Sequence, residues 1–109
     1  MPLVHKVYGL YKLFHLFLKF FPKQEKYTLG QMVEKTILEM LEKILVANYA
    51  PKYQKCQALQ LVSQKNDLLK YLIRLAYDIR CLNSKKYLYL EKEVIEIGKM
   101  LGGWLKSVR

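Results

Sequence analysis

From Leu29 to Leu45 the apolar residues recur in alternating steps of three and one. They are Leu29, Met32, Val33, Thr36 (through its methyl group), Ile37, Met40, Leu41, Ile44 and Leu45. That spacing places all of them on one face of a 3.6-residue helix and excludes a half-buried strand, whose faces alternate every two residues. The opposite face carries Glu34, Lys35, Glu39, Glu42 and Lys43. The segment therefore reads as an amphipathic helix. No other stretch has a convincing period-two pattern, so the predicted fold class is all-α.

Sparse punctuation divides the chain. Pro22, in "FFPKQEKYTLG", predicts the end of a first helix over about residues 3–21. Thr28 with Gln31 three residues on predicts a capped start for a second, over about 29–49. Pro51 opens a third, about 52–82, which "NSKK" at 83–86 breaks before a fourth, about 87–108. In the fourth, Leu90, Val94, Ile97, Leu101, Trp104 and Val108 step by four and three, a coiled-coil-like seam with Trp104 as a packing anchor. Gly98 and Gly102 sit one turn apart there. Each costs about 1 kcal/mol against Ala in a helix, which predicts close approach of a neighbour. The 109 residues suit one domain, 1–109. Four helices with short connections predict an up-down-up-down antiparallel four-helix bundle.

Two of these helices are greasier than a lone bundle requires. Helix one has a single narrow polar strip of His5, Tyr8, Lys12, His15 and Lys19. On helix three, Leu61, Leu68, Leu72, Leu75, Ala76 and Ile79 form one apolar sector, and Leu59, Val62, Leu69 and Ile73 widen it. A bundle helix needs an apolar stripe of somewhat more than 100°, and these arcs are about twice that. The excess would be an exposed patch on a monomer, so it predicts a homo-oligomer or another partner.

Charge narrows the function. Nineteen Lys and Arg against nine Asp and Glu give +10. Such an excess opposes compaction and favours a polyanion, either nucleic acid or an anionic membrane. Eight of the basic residues fall between Lys52 and Lys86, where Asp67 and Asp78 are the only acids. Lys70 and Arg74 lie about 40° apart on the helical wheel, opposite the leucine sector. They are the leading candidates for phosphate contacts, followed by Lys52 and Lys55 beside the loop. Arg80 is a further candidate, with an interface ion pair as its alternative. Tyr71 and Tyr77 flank the pair and can stack on unpaired bases, with plain packing as the alternative. The bland alternative for all these charges is a solvated helix face.

Catalytic patterns are missing. His5 and His15 are nearly three helical turns apart and share no metal. There is no Gly-rich phosphate loop, no HExxH, and no Ser or Cys with a base at recognisable spacing. The expectation is a non-enzyme with no metal, cofactor or small-molecule substrate. Cys56 and Cys81 fall about 40 Å apart on the proposed third helix, too far to pair. Two reduced thiols suit a cytoplasmic location. The apolar run "VYGLYKLFHLFLKFF" is interrupted by Lys12 and Lys19 and lacks a cleavage site, so it fits neither a signal peptide nor a spanning helix.

Two segments carry a resemblance: "FPKQEKYTLGQM" after an aromatic first helix, and "EVIEIGKMLGGWLKSVR" at the end. They resemble two related families of small helical proteins. One is encoded in intervening sequences of bacterial large-subunit ribosomal RNA genes. The other is the Avd family, the accessory variability determinants of diversity-generating retroelements. Between helices two and three this chain reads "LVANYAPKYQK", without the "NIAEG" core typical of the intervening-sequence proteins, and "LGGWLKSV" is similar to the Avd ending. The Avd resemblance implies a bundle assembling as a ring-like pentamer. It implies association with a reverse transcriptase and its template RNA, with DNA or an RNA/DNA hybrid as alternatives, in support of mutagenic cDNA synthesis. It also implies a basic pair at the spacing of Lys70 and Arg74. Two other readings compete. One is a self-assembling intervening-sequence-type bundle without a nucleic-acid role. The other is a membrane-surface binder built on the basic, aromatic first helix.

Overall fold

A computed structural model of the protein describes residues 2–108. It contains four long helices: α1 (Pro2–Leu18), α2 (Gln31–Tyr49), α3 (Lys52–Asp78) and α4 (Ser84–Val108). A single turn, Lys23–Glu25, and a π turn, Lys26–Gly30, lead into α2. No strand occurs among the described residues.

Each helix packs on two neighbours, and every interface runs antiparallel. On α1–α2, His15 meets Glu34 while Leu18 lies against Gly30. On α1–α4, Lys6 pairs with Glu93 and Glu96 while Lys86 caps the Phe20 ring. On α3–α4, Asn66 reaches Val94 while Tyr77 stacks on Tyr87. In all three, positions rise on one helix as they fall on the other. The α2–α3 pair Glu39–Lys65 and the short turn after Tyr49 close the set. The result is a rod of 43 × 22 × 19 Å.

The core lies along the rod axis. Its inner ring includes Val7, Leu10 and Phe14 of α1, Ile37, Met40 and Ile44 of α2, Leu59, Leu69 and Ile73 of α3, and Leu90, Ile97 and Leu101 of α4. The i, i+3, i+4 spacing of these residues makes each helix amphipathic, and their burial is the main stabilising term. The α1 face that an interfacial helix would lay into a membrane is thereby turned inward. No helix among the described residues is long and apolar enough to cross a membrane.

The first helix ends at Leu18, short of the expected residue 21, and boundaries differ in three further places, each for a local reason. Pro22 begins the second helical stretch: its carbonyl accepts from the Glu25 and Lys26 amides at 2.9 and 3.1 Å. Thr28 is therefore inside a helix already under way and donates back to the Gln24 carbonyl at 3.2 Å, so it is no cap. The third helix stops at Asp78, short of Leu82, because Arg80 takes φ 68°. The Arg80 and Cys81 amides then bond the Tyr77 and Ala76 carbonyls at 3.0 and 2.8 Å, a left-handed helix stop of the Schellman type. Asn83, expected in a break, caps α4 instead. Its Oδ1 accepts from the Lys86 amide at 2.8 Å, and the helix starts at Ser84.

Three packing expectations also shift. Gly98 is a true close approach, since an added Cβ would stand 3.3 Å from Asn66 Nδ2, whereas Gly102 faces open space. The α4 seam ends on Leu105, with Trp104 half-buried beside it. On α3 the core uses Leu59, Val62, Leu69, Ile73 and Ala76. Leu61, Leu68, Leu75 and Ile79 are left between 38% and 46% exposed. On this helix the excess is therefore a lateral stripe along its flank; Leu16 of α1, Leu38, Leu45 and Val46 of α2 and Leu88 of α4 are exposed as well.

Candidate nucleic-acid interface

Lys70 and Arg74 sit one turn apart on α3, on the side that faces α4. With Asp67, Tyr71, Tyr87 and Glu91 they line an open groove along the α3–α4 seam. The two cations differ in their surroundings. Lys70 is exposed and has no ion-pair partner among the described residues. Arg74 is held from three sides. Its Nε donates to Asp78 Oδ1 at 3.1 Å, and its guanidinium lies 5.8 Å from the centroids of both Tyr77 and Tyr87. Those distances fall within cation–π range.

The tyrosines are themselves organised. Tyr77 and Tyr87 stack at 4.5 Å with 16° between their planes. The Tyr87 hydroxyl donates to Glu91 Oε2. Glu91, above all through that hydrogen bond, raises the Tyr87 hydroxyl above its usual range, while Arg74 pulls the other way. In return Tyr87, and then the Asp78 charge, hold the Arg74 guanidinium firmly protonated. The groove thus offers one unpaired cation, Lys70, one internally paired cation, Arg74, and three nearby carboxylates.

The candidates do not converge on one spot. Lys52 and Lys55 occupy the first turn of α3, about 22–27 Å along the helix from Lys70 at 1.5 Å per residue. Arg80 lies beyond the other end of α3, at the left-handed stop. Tyr77 is half-buried, with one ring face covered by Tyr87, whereas Tyr71 is 76% exposed. Two features were not legible beforehand. Tyr87 reads as an ordinary helix-start residue, yet it organises Arg74. Lys86 lies 3.4 Å from the Phe20 ring centroid and 5.6 Å from that of Phe17, a contact between helices far apart in sequence. Only the Lys85–Lys86 doublet hinted at that end of the bundle.

The ion pairs elsewhere are few and ordinary. Lys6 bridges Glu93 and Glu96, Lys65 meets Glu39 at 3.4 Å, and His15 meets Glu34 at 3.2 Å. No group of three potential metal-ligating side chains comes together among the described residues. Chemically, the surface offers Coulombic contacts and exposed aromatic rings.

Compared with known protein families, the chain matches a family described as bAvd-like over residues 1–108. No curated protein matches the chain.

Proposed function

The chain belongs to the bAvd-like family, and on that premise we propose that it is a non-enzymatic accessory protein of a diversity-generating retroelement. Several copies assemble side by side, as a pentameric ring on the Avd pattern. The assembly binds the retroelement's reverse transcriptase and template RNA in the cytoplasm and supports mutagenic cDNA synthesis. The α3 flank supports self-association, because Leu61, Leu68, Leu75 and Ile79 form an uncovered apolar row.

The observation that carries the RNA reading is the surplus of free cations. All Lys and Arg except Arg109 are described, and only Lys6, Lys65 and Arg74 among them form ion pairs. Unpaired lysines release counterions when they meet phosphates, which gives sequence-independent, salt-dependent binding. Lys70, Lys52, Lys55 and Arg80 supply such contacts. Arg74 shapes the groove and holds Tyr77 and Tyr87, and Tyr71 offers a free ring for a base.

Gel retention of a single-stranded RNA across a salt series tests this reading. The wild-type protein retains RNA at low salt, and Lys70→Glu lowers the salt slope by roughly one unit or slightly less. Retention that is absent, or indifferent to salt, would remove the nucleic-acid role. Co-purification with the reverse transcriptase of a diversity-generating retroelement tests the second partner.

A further inference from the structure

The net charge of the chain is not spread along the rod. The antiparallel topology gathers the α1–α2 and α3–α4 connections at one end, the far pole. That pole holds Lys19, Lys23, Lys26, Arg80, Lys85 and Lys86, with Glu25 as the only acid in segments 19–27 and 79–86. Asp78, at its edge, is already paired with Arg74. The opposite, near pole gathers the α2–α3 connection and the end of α4. It holds Lys52, Lys55 and Lys106, with no acid in segments 47–55 and 104–108.

The waist between them is nearly neutral. Nine Lys and Arg there face eight Asp and Glu. Every ion pair among the described residues lies in this waist, and none involves a polar-end cation. Each pole also carries two well-exposed rings. Phe20 and Tyr27 are 66% and 64% exposed at the far pole, and Tyr49 and Tyr53 are 85% and 68% exposed at the near pole. Cations interleaved with accessible rings suit single-stranded nucleic acid, whose phosphates and unstacked bases they engage together.

At the far pole a backbone cost accompanies the charge. Arg80 occupies a left-handed position, φ 68°, that glycine would take more readily. A strained residue that brings a cation to a basic end points toward use of that cation.

Two basic ends on a rod 43 Å long are electrostatically independent, because the screening length at physiological salt is about 8 Å. A single strand running from pole to pole would have to pass the waist carboxylates. Two strands, one at each end, avoid most of them, and Lys70, about two turns from the far end of α3, stays within reach of the strand there. Association through the lateral stripe leaves both ends uncovered.

We propose that the protein bridges two separate segments of single-stranded RNA, one at each pole of the bundle. This rests on the nucleic-acid reading above and adds to it an activity, the tethering of two strands.

The test is a capture assay at about 0.1 M salt. A biotinylated single-stranded RNA is immobilised, the full-length protein is added, and capture of a second, labelled, non-complementary RNA is measured. The wild-type protein is retained and captures the second strand. A near-pole variant (Lys52→Glu, Lys55→Glu, Lys106→Glu) and a far-pole variant (Lys19→Glu, Lys23→Glu, Lys85→Glu) are each still retained, but each captures at least tenfold less. Circular dichroism and solution mass confirm that each variant folds and assembles. Should a triple variant misfold, Lys23→Glu and Lys52→Glu alone read the same effect as graded partial losses.

Retention of the wild type without capture overturns the bridging proposal and leaves the nucleic-acid reading standing. So does capture that survives in either variant, which would place both strands on one end. Retention lost in either single-pole variant would mean one strand spanning both ends, and it too overturns bridging alone. Absence of any wild-type retention sinks both readings together, and cross-linking of anionic vesicles in that case assigns the poles to lipid headgroups.

Discussion

Asn66 donates its side-chain amide to the Val94 carbonyl at 3.2 Å across the α3–α4 seam, while its Oδ1 is buried with no hydrogen-bond partner. The contact is possible because Gly98 has no side chain at the point of approach. A hydrogen bond of this kind contributes about 1 kcal/mol net, whereas an orphaned buried acceptor costs about 1–3 kcal/mol. Val94 O can keep its own intrahelical bond without Asn66. Asn66→Leu is therefore expected to leave stability unchanged or raise it by about 1 kcal/mol in urea unfolding. A loss above 1 kcal/mol would show that the amide contributes more than this balance allows.

Arg80 gives a second prediction. Relieving a left-handed non-glycine residue is worth roughly 1 kcal/mol. Arg80→Gly should raise the unfolding midpoint while weakening RNA retention. A variant that is less stable would mean that the side chain makes contacts that outweigh its backbone strain.

Stability should fall on the alkaline side. Burial, assisted by the nearby Glu25, raises the Cys81 thiol above its ordinary 9.0. The hydrogen bond to Glu91 raises Tyr87, and burial raises Tyr11, above 10.0, while Glu93 and then Glu96 raise Lys6 above 10.5. Each group holds its proton more tightly folded than unfolded. Their contribution is complete below the unfolded values and disappears as pH rises through the folded ones. Urea midpoints should decline from about pH 9 upward. Cys81→Ala should delay the onset toward pH 10. On the acid side Glu96, lowered chiefly by its hydrogen bond to Lys6, contributes above its ordinary 4.5 and less as pH falls below it. A flat profile between pH 8 and 11 would contradict the assignment.

The lateral stripe makes assembly testable. Leu68→Glu with Leu75→Glu places two charges on residues 38% and 46% exposed, outside the core. Helical circular dichroism should be preserved and the sedimenting mass should drop to one chain. An unchanged mass would locate the contact between copies elsewhere.

The helices and the core were legible in the sequence because apolar period is a direct record of which face is buried. The α2 stripe from Val33 to Ile44 and the α4 seam from Leu90 to Leu101 are both found in the core. Helix ends were less legible, because they depend on backbone geometry that composition records weakly. Nothing about the letter Arg at position 80 announces a left-handed helix stop, a place where glycine is the common signal. The same holds for Thr28, a plausible cap made redundant by Pro22 six residues earlier. On α3, two adjacent apolar faces were visible, but which one turned inward depended on where α2 and α4 lay. For the candidate site, spacing placed Lys70 beside Arg74. Spacing also put Tyr77 and Asp78 within reach of Arg74, but it did not reveal Tyr87, which comes from the next helix.

The clasp of Lys6 on Glu93 and Glu96 joins the first helix of the chain to the last. During synthesis the greasy first helix therefore leaves the ribosome nearly ninety residues ahead of the carboxylates that fasten it. Until they emerge, Val7, Leu10 and Phe14 have only one of their two neighbouring helices, α2, to shelter against. A nascent chain stalled before Glu93 should be the species most in need of a chaperone.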